Sequence, residues 1–259
     1  MTAAVDPTAI VSPTAVLEPG VSVGPYAVVG PDVRLGRGTS VGAHAQVQGP
    51  STLGEGNRIF PFAVVGFDPQ DLKYAGERTR LTVGSRNVFR EFCTIHRGTA
   101  GGRAETSIGD ENLFMAYSHV AHDCRIGSHS VLANYVGLAG HIDVGDWATL
   151  GAYVGCHQFV RIGDHAYVGA FTVIRQDVLP FCKTDGAEAK TYGVNTIGLK
   201  RRGFSPERIE ALEKAYRILV RSKLNTSQAL ERLDAELAGQ QDVASLLAFL
   251  RGSQRGFHK

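Results

Sequence analysis

The sequence predicts a parallel β-helix of hexapeptide repeats followed by a small α-helical region, on two observations. An apolar residue recurs at every sixth position through most of the chain from Val5 to Ile174. A six-residue period fits neither an α-helix nor an alternating strand, and it is typical of hexapeptide β-helices. After Ile174 the period stops, and from residue 205 onwards apolar residues recur at helical spacing. The recurring residues between the two ends are Val11, Leu17, Val23, Val29, Leu35, Val41, Val47, Leu53, Ile59, Val65, Val83, Phe89, Ile95, Ile108, Phe114, Val120, Ile126, Leu132, Leu138, Val144, Leu150, Cys156, Ile162 and Val168.

Each hexapeptide is expected to form one short strand and a corner, so that three of them complete a triangular coil. Successive coils stack through parallel strand pairing at about 4.8 Å per layer, with the recurring residue pointing into the prism. Glycine often follows that residue, as in Val23-Gly24 and Ile126-Gly127. We expect this glycine to let the backbone turn at the corner without steric cost. One coil cannot bury its apolar interior alone, so the fold needs many stacked repeats.

Two segments interrupt the period, residues 67–82 and 100–107, and both are predicted to be inserted loops. Counting hexapeptides in threes puts Val65 and Ile95 on the same side of the prism. Both loops should therefore leave from the same corner, a few coils apart. Long loops on a rigid scaffold often carry function, although neutral surface insertions would give the same pattern.

The chain is predicted to divide into a β-helix over residues 1–178, an irregular connection over 179–204 and a helical domain over 205–259. Ser205-Pro206 indicates a helix start, with an N-cap serine and proline at the first helical position. A break at Asn225-Thr226 separates this helix from a second one, and a third short helix follows. Because the 55 residues of this helical domain are too few to form a stable hydrophobic core by themselves, the helices should pack on the prism or on a partner subunit.

Composition argues against several classes of protein. The formal net charge of +2 is too small to suggest nucleic-acid binding. Neither a signal peptide nor an apolar run long enough to span a bilayer is visible, so we expect a cytoplasmic protein without stable membrane insertion. The four cysteines lack metal or redox spacing and are expected to be buried thiols. Basic residues cluster at Lys200-Arg201-Arg202, which suits phosphates or an acidic partner, or else a solvated helix face.

Most of the nine histidines are predicted to line one face of the prism, beside the two loops. Histidine is suited to proton transfer near neutral pH, and Asp123 could orient the ring of His122. A zinc site like that of the gamma-class carbonic anhydrases is the rival interpretation. Those proteins pair two histidines five positions apart, and none lies five from His122. No metal and no cofactor is therefore expected. The histidines on this face are His96, His119, His122, His141 and His157.

Over its whole length, the chain resembles the acyl-carrier-protein–UDP-N-acetylglucosamine O-acyltransferases, which begin lipid A synthesis in Gram-negative bacteria. The segments QDLKYAGE (70–77) and GLKRRGF (198–204) are specific to that family, whereas the hexapeptide repeat is shared by other acyltransferases. The remaining matching segments are IHRGT (95–99), HVAHDC (119–124), LAGH (138–141), HQF (157–159) and GVN (193–195).

The resemblance implies a left-handed β-helix and a homotrimer with active sites between adjacent prisms. It implies transfer of an (R)-3-hydroxyacyl chain from acyl carrier protein to the 3-hydroxyl of UDP-N-acetylglucosamine. It also implies that His122 is the general base, Asp123 its orienting partner and the Gly140 backbone N–H the oxyanion donor. His96 could equally be structural. The resemblance implies further substrate contacts for Asp71, Lys73, His96, His119, His141, His157, Gln158, Asn195, Arg201 and Arg202.

Two positions bear on substrate choice. Ala170 matches the family residue that limits acyl length, with Phe171 beside it, and alanine is intermediate between the glycine and the bulky residues found there. A chain somewhat shorter than the family's longest is expected. Ile197 stands where a familiar member has an acid, which leaves open a preference for a 3-amino sugar nucleotide.

Three alternatives to this activity are less well supported by the residues. The related N-acyltransferase of the same pathway carries an extra domain before its prism, whereas the repeat here begins at Val5. A non-catalytic prism would need neither the histidines nor the loops. A zinc hydratase would need a different histidine spacing.

Overall fold

The computed structural model describes residues 2–237 and 239–259, and its strands wind into the left-handed parallel β-helix that was predicted. Strands three apart in sequence pair in parallel, which gives the prism three faces, named A, B and C here. Face A contains β1 (Ala4–Val5), β4 (Ser22–Val23), β7 (Ser40–Val41), β10 (Arg58–Ile59), β13 (Val88–Phe89), β16 (Leu113–Phe114), β19 (Val131–Leu132), β22 (Thr149–Leu150) and β25 (Tyr167–Val168). Face B contains β2 (Ile10–Val11), β5 (Val28–Val29), β8 (Gln46–Val47), β11 (Val64–Phe67), β14 (Thr94–His96), β17 (His119–Val120), β20 (Gly137–Leu138), β23 (Gly155–Cys156) and β26 (Val173–Ile174). Face C contains β3 (Val16–Leu17), β6 (Val33–Leu35), β9 (Ser51–Leu53), β12 (Arg80–Val83), β15 (Glu105–Ile108), β18 (Arg125–Ile126), β21 (Asp143–Val144) and β24 (Arg161–Ile162).

The recurring apolar residues fill the prism, as the six-residue period predicts. Val120 pairs in register with Ile95 in the coil before it and with Leu138 in the coil after it. All three side chains are completely buried. Burying an aliphatic side chain of this size contributes roughly 1.5–3 kcal/mol, and stacking repeats that contribution in each coil.

The corners turn at a different residue from the one expected. The third residue after most inward residues has a left-handed backbone conformation, with φ of +57° at Tyr26, +61° at Asp123 and +65° at His141. Apart from Gly66, which lies just before the first inserted loop with φ of +81°, the glycines that directly follow an inward residue do not have positive φ, so the turning role predicted for them is wrong. Their small size is needed for close stacking instead, because a Cβ on Gly36 would lie 2.5 Å from the carbonyl carbon of Gly54 in the next coil.

Both inserted loops leave face B and return to face C, so they share a corner as predicted. The first loop is shorter than the predicted interruption and runs over residues 68–79, whereas the second has the predicted length but lies three residues earlier, over residues 97–104. The strands beside them are longer, because Phe67 pairs with His96 and Arg80 pairs with Glu105. An ion pair between Arg97 and Asp68 joins the two loops.

The prediction of an irregular connection over residues 179–204 is wrong. An antiparallel hairpin of β27 (Cys182–Asp185) and β28 (Lys190–Val194) extends face A, and α1 (Thr196–Arg201) follows it. Cys182 and Thr184 alternate with exposed residues, since only one side of β27 faces the core. This strand continues face A by pairing with β25 and not by repeating the hexapeptide, so the period could not reveal it.

The helical region closes the C-terminal end of the prism. Ser205 caps α2 (Pro206–Tyr216) by accepting from the Arg208 N–H, as predicted. A π-helical turn (Arg217–Arg221), α3 (Thr226–Leu237) and α4 (Gln241–Arg251) follow. Their buried side chains form one apolar cluster with Leu179 and Phe181 of the last coil, so the helices pack on the prism of their own chain. Of the described helices, none is long and apolar enough to cross a membrane.

Candidate active site

A cavity of about 800 Å³ lies at the corner between faces B and C, beneath the first inserted loop. His122, His141 and Gln158 reach it from three successive coils, following β17, β20 and β23. Asp71 and Lys73 line it from the loop. The structure therefore brings together five of the residues that the resemblance assigns to catalysis or binding.

His122 and Asp123 form a hydrogen-bonded pair at the base of this cavity. The His122 Nδ1 lies 2.8 Å from the Asp123 Oδ2, and the Asp123 side chain is fully buried. Burial would raise the pKa of Asp123, but hydrogen bonds from Thr99, His122 and Arg103 outweigh it and the pKa lies below its usual value. An ionised carboxylate only accepts hydrogen bonds, so His122 Nδ1 carries a proton and the neutral ring has its basic lone pair on Nε2.

Gly140 crosses directly over the His122 ring. A Cβ at this position would lie 2.5 Å from Cε1 and 2.8 Å from Nε2 of His122, so only glycine fits. Among the described residues, the Gly140 N–H has no hydrogen-bond acceptor. A backbone donor thus remains free beside the basic nitrogen of His122.

His141 forms the far wall of the cavity. Its Nε2 lies 3.8 Å from Asp123 Oδ2, and its ring stacks on Phe159 with centroids 4.6 Å apart. Burial lowers the pKa of His141, although the charge of Asp123 opposes the effect. His141 is therefore a largely neutral hydrogen-bonding group at neutral pH.

The other histidines of this face lie outside the cavity. His96 and His119 contact each other edge to face on β14 and β17, with centroids 5.1 Å apart. Burial lowers the pKa of His96 to about 4, and its Nδ1 is buried without a partner. His119 shares a 2.7 Å hydrogen bond with Thr94. His157 is exposed, and its Nδ1 lies 3.1 Å from the Gln158 carbonyl oxygen.

A second, basic cavity of about 530 Å³ lies on face A. It contains Asn195, Arg201 and Arg202, so the structure separates these residues from the His122 cavity. The Asn195 side chain caps α1 by accepting from the Gly198 N–H. The rest of this cavity is lined by Thr149, Tyr167, Lys183, Ile197 and Gly198.

Ala170 and Phe171 lie at a third place, the corner between faces A and B. Phe171 is 67% exposed and stacks on Tyr153, with ring centroids 4.9 Å apart. Ala170 lies over Gly151 of the coil below. A Cβ atom added to Gly151 would come within 2.6 Å of the Ala170 backbone nitrogen. Neither residue lines the two cavities.

Comparisons with known proteins agree with this architecture. The model of UDP N-acetylglucosamine O-acyltransferase domain 2 matches residues 177–258, and the bacterial transferase hexapeptide model matches residues 14–49 and 105–140. An acyl-[acyl-carrier-protein]–UDP-N-acetylglucosamine O-acyltransferase from Myxococcus xanthus is 50% identical over 254 residues, which cover 98% of each chain. The chain belongs to the UDP-N-acetylglucosamine O-acyltransferase family.

Further members of the family match over nearly the whole chain. An acyl-[acyl-carrier-protein]–UDP-N-acetylglucosamine O-acyltransferase from Halorhodospira halophila is 49% identical over 252 residues, covering 97% of this chain and 98% of its own. The solved UDP-N-acetylglucosamine O-acyltransferase from Moraxella catarrhalis superposes with a TM-score of 0.96 at 40% identity, covering 100% of both chains. The family resemblance drawn from the motifs is thus confirmed, and the chain is an acyltransferase.

One group of described residues could reach a common metal ion in this family member. Ligand atoms of His122, Asp123 and His141 lie within 4.8 Å of one another. The Asp123 oxygens already accept hydrogen bonds from Thr99, Arg103 and His122. A metal ion here would have to displace these donors, so the geometry fits a hydrogen-bonded pair better than a metal site.

Sequence reasoning missed several residues that shape the two cavities. Thr99, Gly102 and Arg103 surround Asp123 from the second loop. Thr99 ends the matching segment IHRGT, whereas the interruption of the period was the only signal for Gly102 and Arg103. Arg202 lies over the ring of Trp147, 5.2 Å from its centroid, and its Nη1 lies 3.5 Å from Nδ1 of His165. These two rings sit one coil apart at one corner, a relation visible in the sequence only once the corner position is known.

Proposed function

We propose that this chain transfers an (R)-3-hydroxyacyl chain from acyl carrier protein to the 3-hydroxyl of UDP-N-acetylglucosamine, the first step of lipid A biosynthesis. Its relatives carry the name of that reaction. The observation that carries the proposal is the His122–Asp123 pair facing the free Gly140 N–H, because acyl transfer to a hydroxyl needs a base and an oxyanion donor close together.

In the proposed mechanism, His122 Nε2 removes the proton from the sugar 3-hydroxyl as its oxygen attacks the thioester carbonyl. A new C–O bond forms, and the negative charge on the carbonyl oxygen is stabilised by the Gly140 N–H. The tetrahedral intermediate then collapses, the C–S bond breaks, and the carrier thiolate takes the proton from His122. Asp123 stabilises the imidazolium in between. Base catalysis of this kind contributes a factor of about 10²–10⁴, and one oxyanion donor a factor of about 10²–10³.

The remaining residues of the His122 cavity are proposed to hold the substrates. Lys73 and Asp71 extend over the cavity from the loop, where an ammonium and a carboxylate can bind sugar hydroxyls. His141 and Gln158 line the opposite wall and offer neutral donors and acceptors. His119 and His157 flank this region on face B, whereas His96 is better explained as a buried structural residue.

We assign the basic cavity on face A to the nucleotide, with Arg201, Arg202 and Asn195 binding the diphosphate and the nucleoside. Arginine forms bidentate contacts with phosphates, and the cation–π contact with Trp147 restricts the Arg202 side chain. The His122 cavity opens at the corner between faces B and C of the same prism, and none of its lining residues lies on face A. A complete site would therefore need the His122 cavity of one subunit beside face A of its neighbour.

A homotrimer would supply that arrangement, and a row of exposed aromatic rings supports it. The rings stack along the corner between faces A and B with centroids about 5 Å apart. Contiguous exposed apolar surface of this kind is typical of an interface. In the trimer we propose, this corner lies near the three-fold axis. The stacked residues are Tyr26, His44, Phe62, Phe92, Tyr117, Tyr135, Tyr153 and Phe171.

Ala170 and Phe171 are proposed to limit the acyl chain at the upper end of this corner. The exposed ring of Phe171 could close an apolar groove between subunits. Ile197 is 66% exposed in the basic cavity, and it offers no carboxylate to the nucleotide. A UDP sugar with an amino group at C3 is the alternative acceptor that this observation leaves open.

We further propose that the reaction takes place in the cytoplasm. All four cysteines are free and buried, and burial raises the pKa of Cys93, Cys124 and Cys182 to about 12. Such thiols need no oxidising compartment, and acyl carrier protein would meet the enzyme there.

The test is acyl transfer from 3-hydroxyacyl carrier protein to UDP-N-acetylglucosamine, wild type against His122→Ala. The proposal predicts transfer by the wild type and near-total loss in a mutant of unchanged trimer mass and melting temperature. A wild type that is inactive with UDP-N-acetylglucosamine would refute this sugar as the acceptor. A UDP sugar with an amino group at C3 would be assayed in parallel as the alternative acceptor. A His122→Ala variant that kept most of its activity would refute the base.

A further inference from the structure

The second inserted loop, residues 97–104, closes over the carboxylate of Asp123. The Thr99 N–H lies 3.1 Å from both carboxylate oxygens, and the Thr99 hydroxyl donates to Oδ2 at 2.6 Å. The Arg103 N–H donates to Oδ1 at 2.6 Å. Gly102 passes so close to the carboxylate that a Cβ atom would overlap it. The loop therefore provides most of the donors that orient Asp123.

Arg103 also ties this loop to two successive coils. Its Nη1 donates to the Asp123 carbonyl oxygen at 2.8 Å. The same guanidinium forms two hydrogen bonds with Asp143, of 2.6 Å to Oδ1 and 3.1 Å to Oδ2. Asp143 begins β21, directly after the corner that carries Gly140 and His141. One side chain thus links the coil that carries the base to the coil that carries the free N–H.

We infer that Arg103 is a positioning residue that sets the His122–Asp123 pair against Gly140. The inference rests on the proposed function, in which His122 is the base and the Gly140 N–H is the oxyanion donor. The base and the oxyanion donor sit on different coils, so their separation depends on how the two coils are held together at this corner. The bidentate contact with Asp143 fixes both distance and orientation, which a single point charge would not.

Arg103 acts through Asp123 and does not contact substrate. The cavity is lined by Thr99, Ala100, Gly101 and Gly102 of this loop, whereas the Arg103 guanidinium points away towards Asp143. The Arg103 side chain is about three-quarters buried. A partly buried, bidentate contact of this kind is stronger than a surface ion pair.

The test compares Arg103→Ala, Arg103→Lys and the matched control Arg125→Ala. Arg125 is an exposed arginine of β18, the strand that pairs with β21 on face C, and it lies beside Asp143 without a hydrogen bond to it among the described residues. Arg103→Ala retains the backbone donor to Asp123 and removes the side chain beyond Cβ, including the guanidinium that binds Asp143. Because a displacement of about 1 Å can cost 10²-fold, we expect kcat to fall roughly 10- to 100-fold with little change in KM. Arg103→Lys should restore part of the rate, and Arg125→Ala should match the wild type.

Two further readouts separate positioning from simple stabilisation. The ¹⁵N and ¹H signals of the His122 Nδ1–H should shift in Arg103→Ala, because its partner Asp123 reorients. Asp143→Ala should lower kcat in the same way, and the double variant should lose little more, since both changes break one contact. A lower melting temperature with unchanged kcat, pH profile and His122 signals would overturn the inference. If the wild type were inactive with the proposed substrates, the function would fail, and the His122 signals would still decide the positioning role.

Discussion

Replacing Gly140 with alanine should disable the base while leaving the backbone N–H in place. A Cβ atom there would lie 2.5 Å from Cε1 and 2.8 Å from Nε2 of His122. Comfortable contact between carbon atoms needs about 3.5 Å, so the His122 ring would have to move by roughly 1 Å. The ring cannot move freely, because its Nδ1 is bound to a buried Asp123 that Thr99 and Arg103 also hold.

A misplacement of about 1 Å at a reacting group can cost 10²-fold in rate. We therefore expect kcat of Gly140→Ala to fall roughly 100-fold, with a smaller change in KM because Lys73, Gln158 and the basic cavity are untouched. The added methyl should also lower the melting temperature, since His122 or the corner backbone must shift.

The assay is steady-state acyl transfer with both substrates varied, together with thermal unfolding. Gly137→Ala is the control for stability, because it lies in the same coil and a Cβ there meets no atom within 4 Å. It should melt like the wild type. The steric reasoning would be refuted if Gly140→Ala kept the kcat and pH profile of the wild type while His122→Ala was inactive.

Four other predictions follow from the site and its surroundings. Ala170→Gly should move the preferred acyl chain to greater length, measured with carriers of graded chain length, and an unchanged profile would remove this residue as the limit. Arg202→Lys should raise KM for the nucleotide roughly 10-fold, since one bidentate phosphate contact is lost, and should leave kcat nearly unchanged. Tyr135→Glu should break the trimer, measured by light scattering, because it puts a charge into the stacked aromatic row. Burial lowers the pKa of both His96 and His165 from 6.5 to about 4. Between these two pH values the unfolded chain binds more protons than the folded chain, so the free energy of unfolding should fall as the pH drops from 6.5 to 4. In denaturant titrations at several pH values, His96→Gln should make the free energy of unfolding less dependent on pH in this range.

The positions of the catalytic candidates could be predicted because counting hexapeptides assigns each residue to a coil and to a side of the prism. Val120 and Leu138 are one coil apart in sequence, so His122 and His141 had to lie at one corner of adjacent coils. The same counting placed both loops at that corner. It could not reveal that Asn195, Arg201 and Arg202 lie on another face, because the period ends before them.

The period also could not explain the glycines. Nothing in the local sequence around Gly140 indicates that a turn needs glycine there. A side chain is excluded at this position because the His122 ring of the coil below occupies the space. Gly36 is a similar case against Gly54. Contacts between coils join residues that are distant in sequence, and local reasoning about a corner does not include them.

By itself, the sequence determined the fold of the prism and the family, because a strict period and two specific motifs leave few alternatives. Only the tertiary structure decided which donors hold Asp123, that Arg103 joins two coils, and that the hairpin at residues 182–194 extends face A. These features depend on side chains meeting across coils and on strand pairing with β25. Such contacts are set by the three-dimensional stacking, and no local pattern in the chain encodes them.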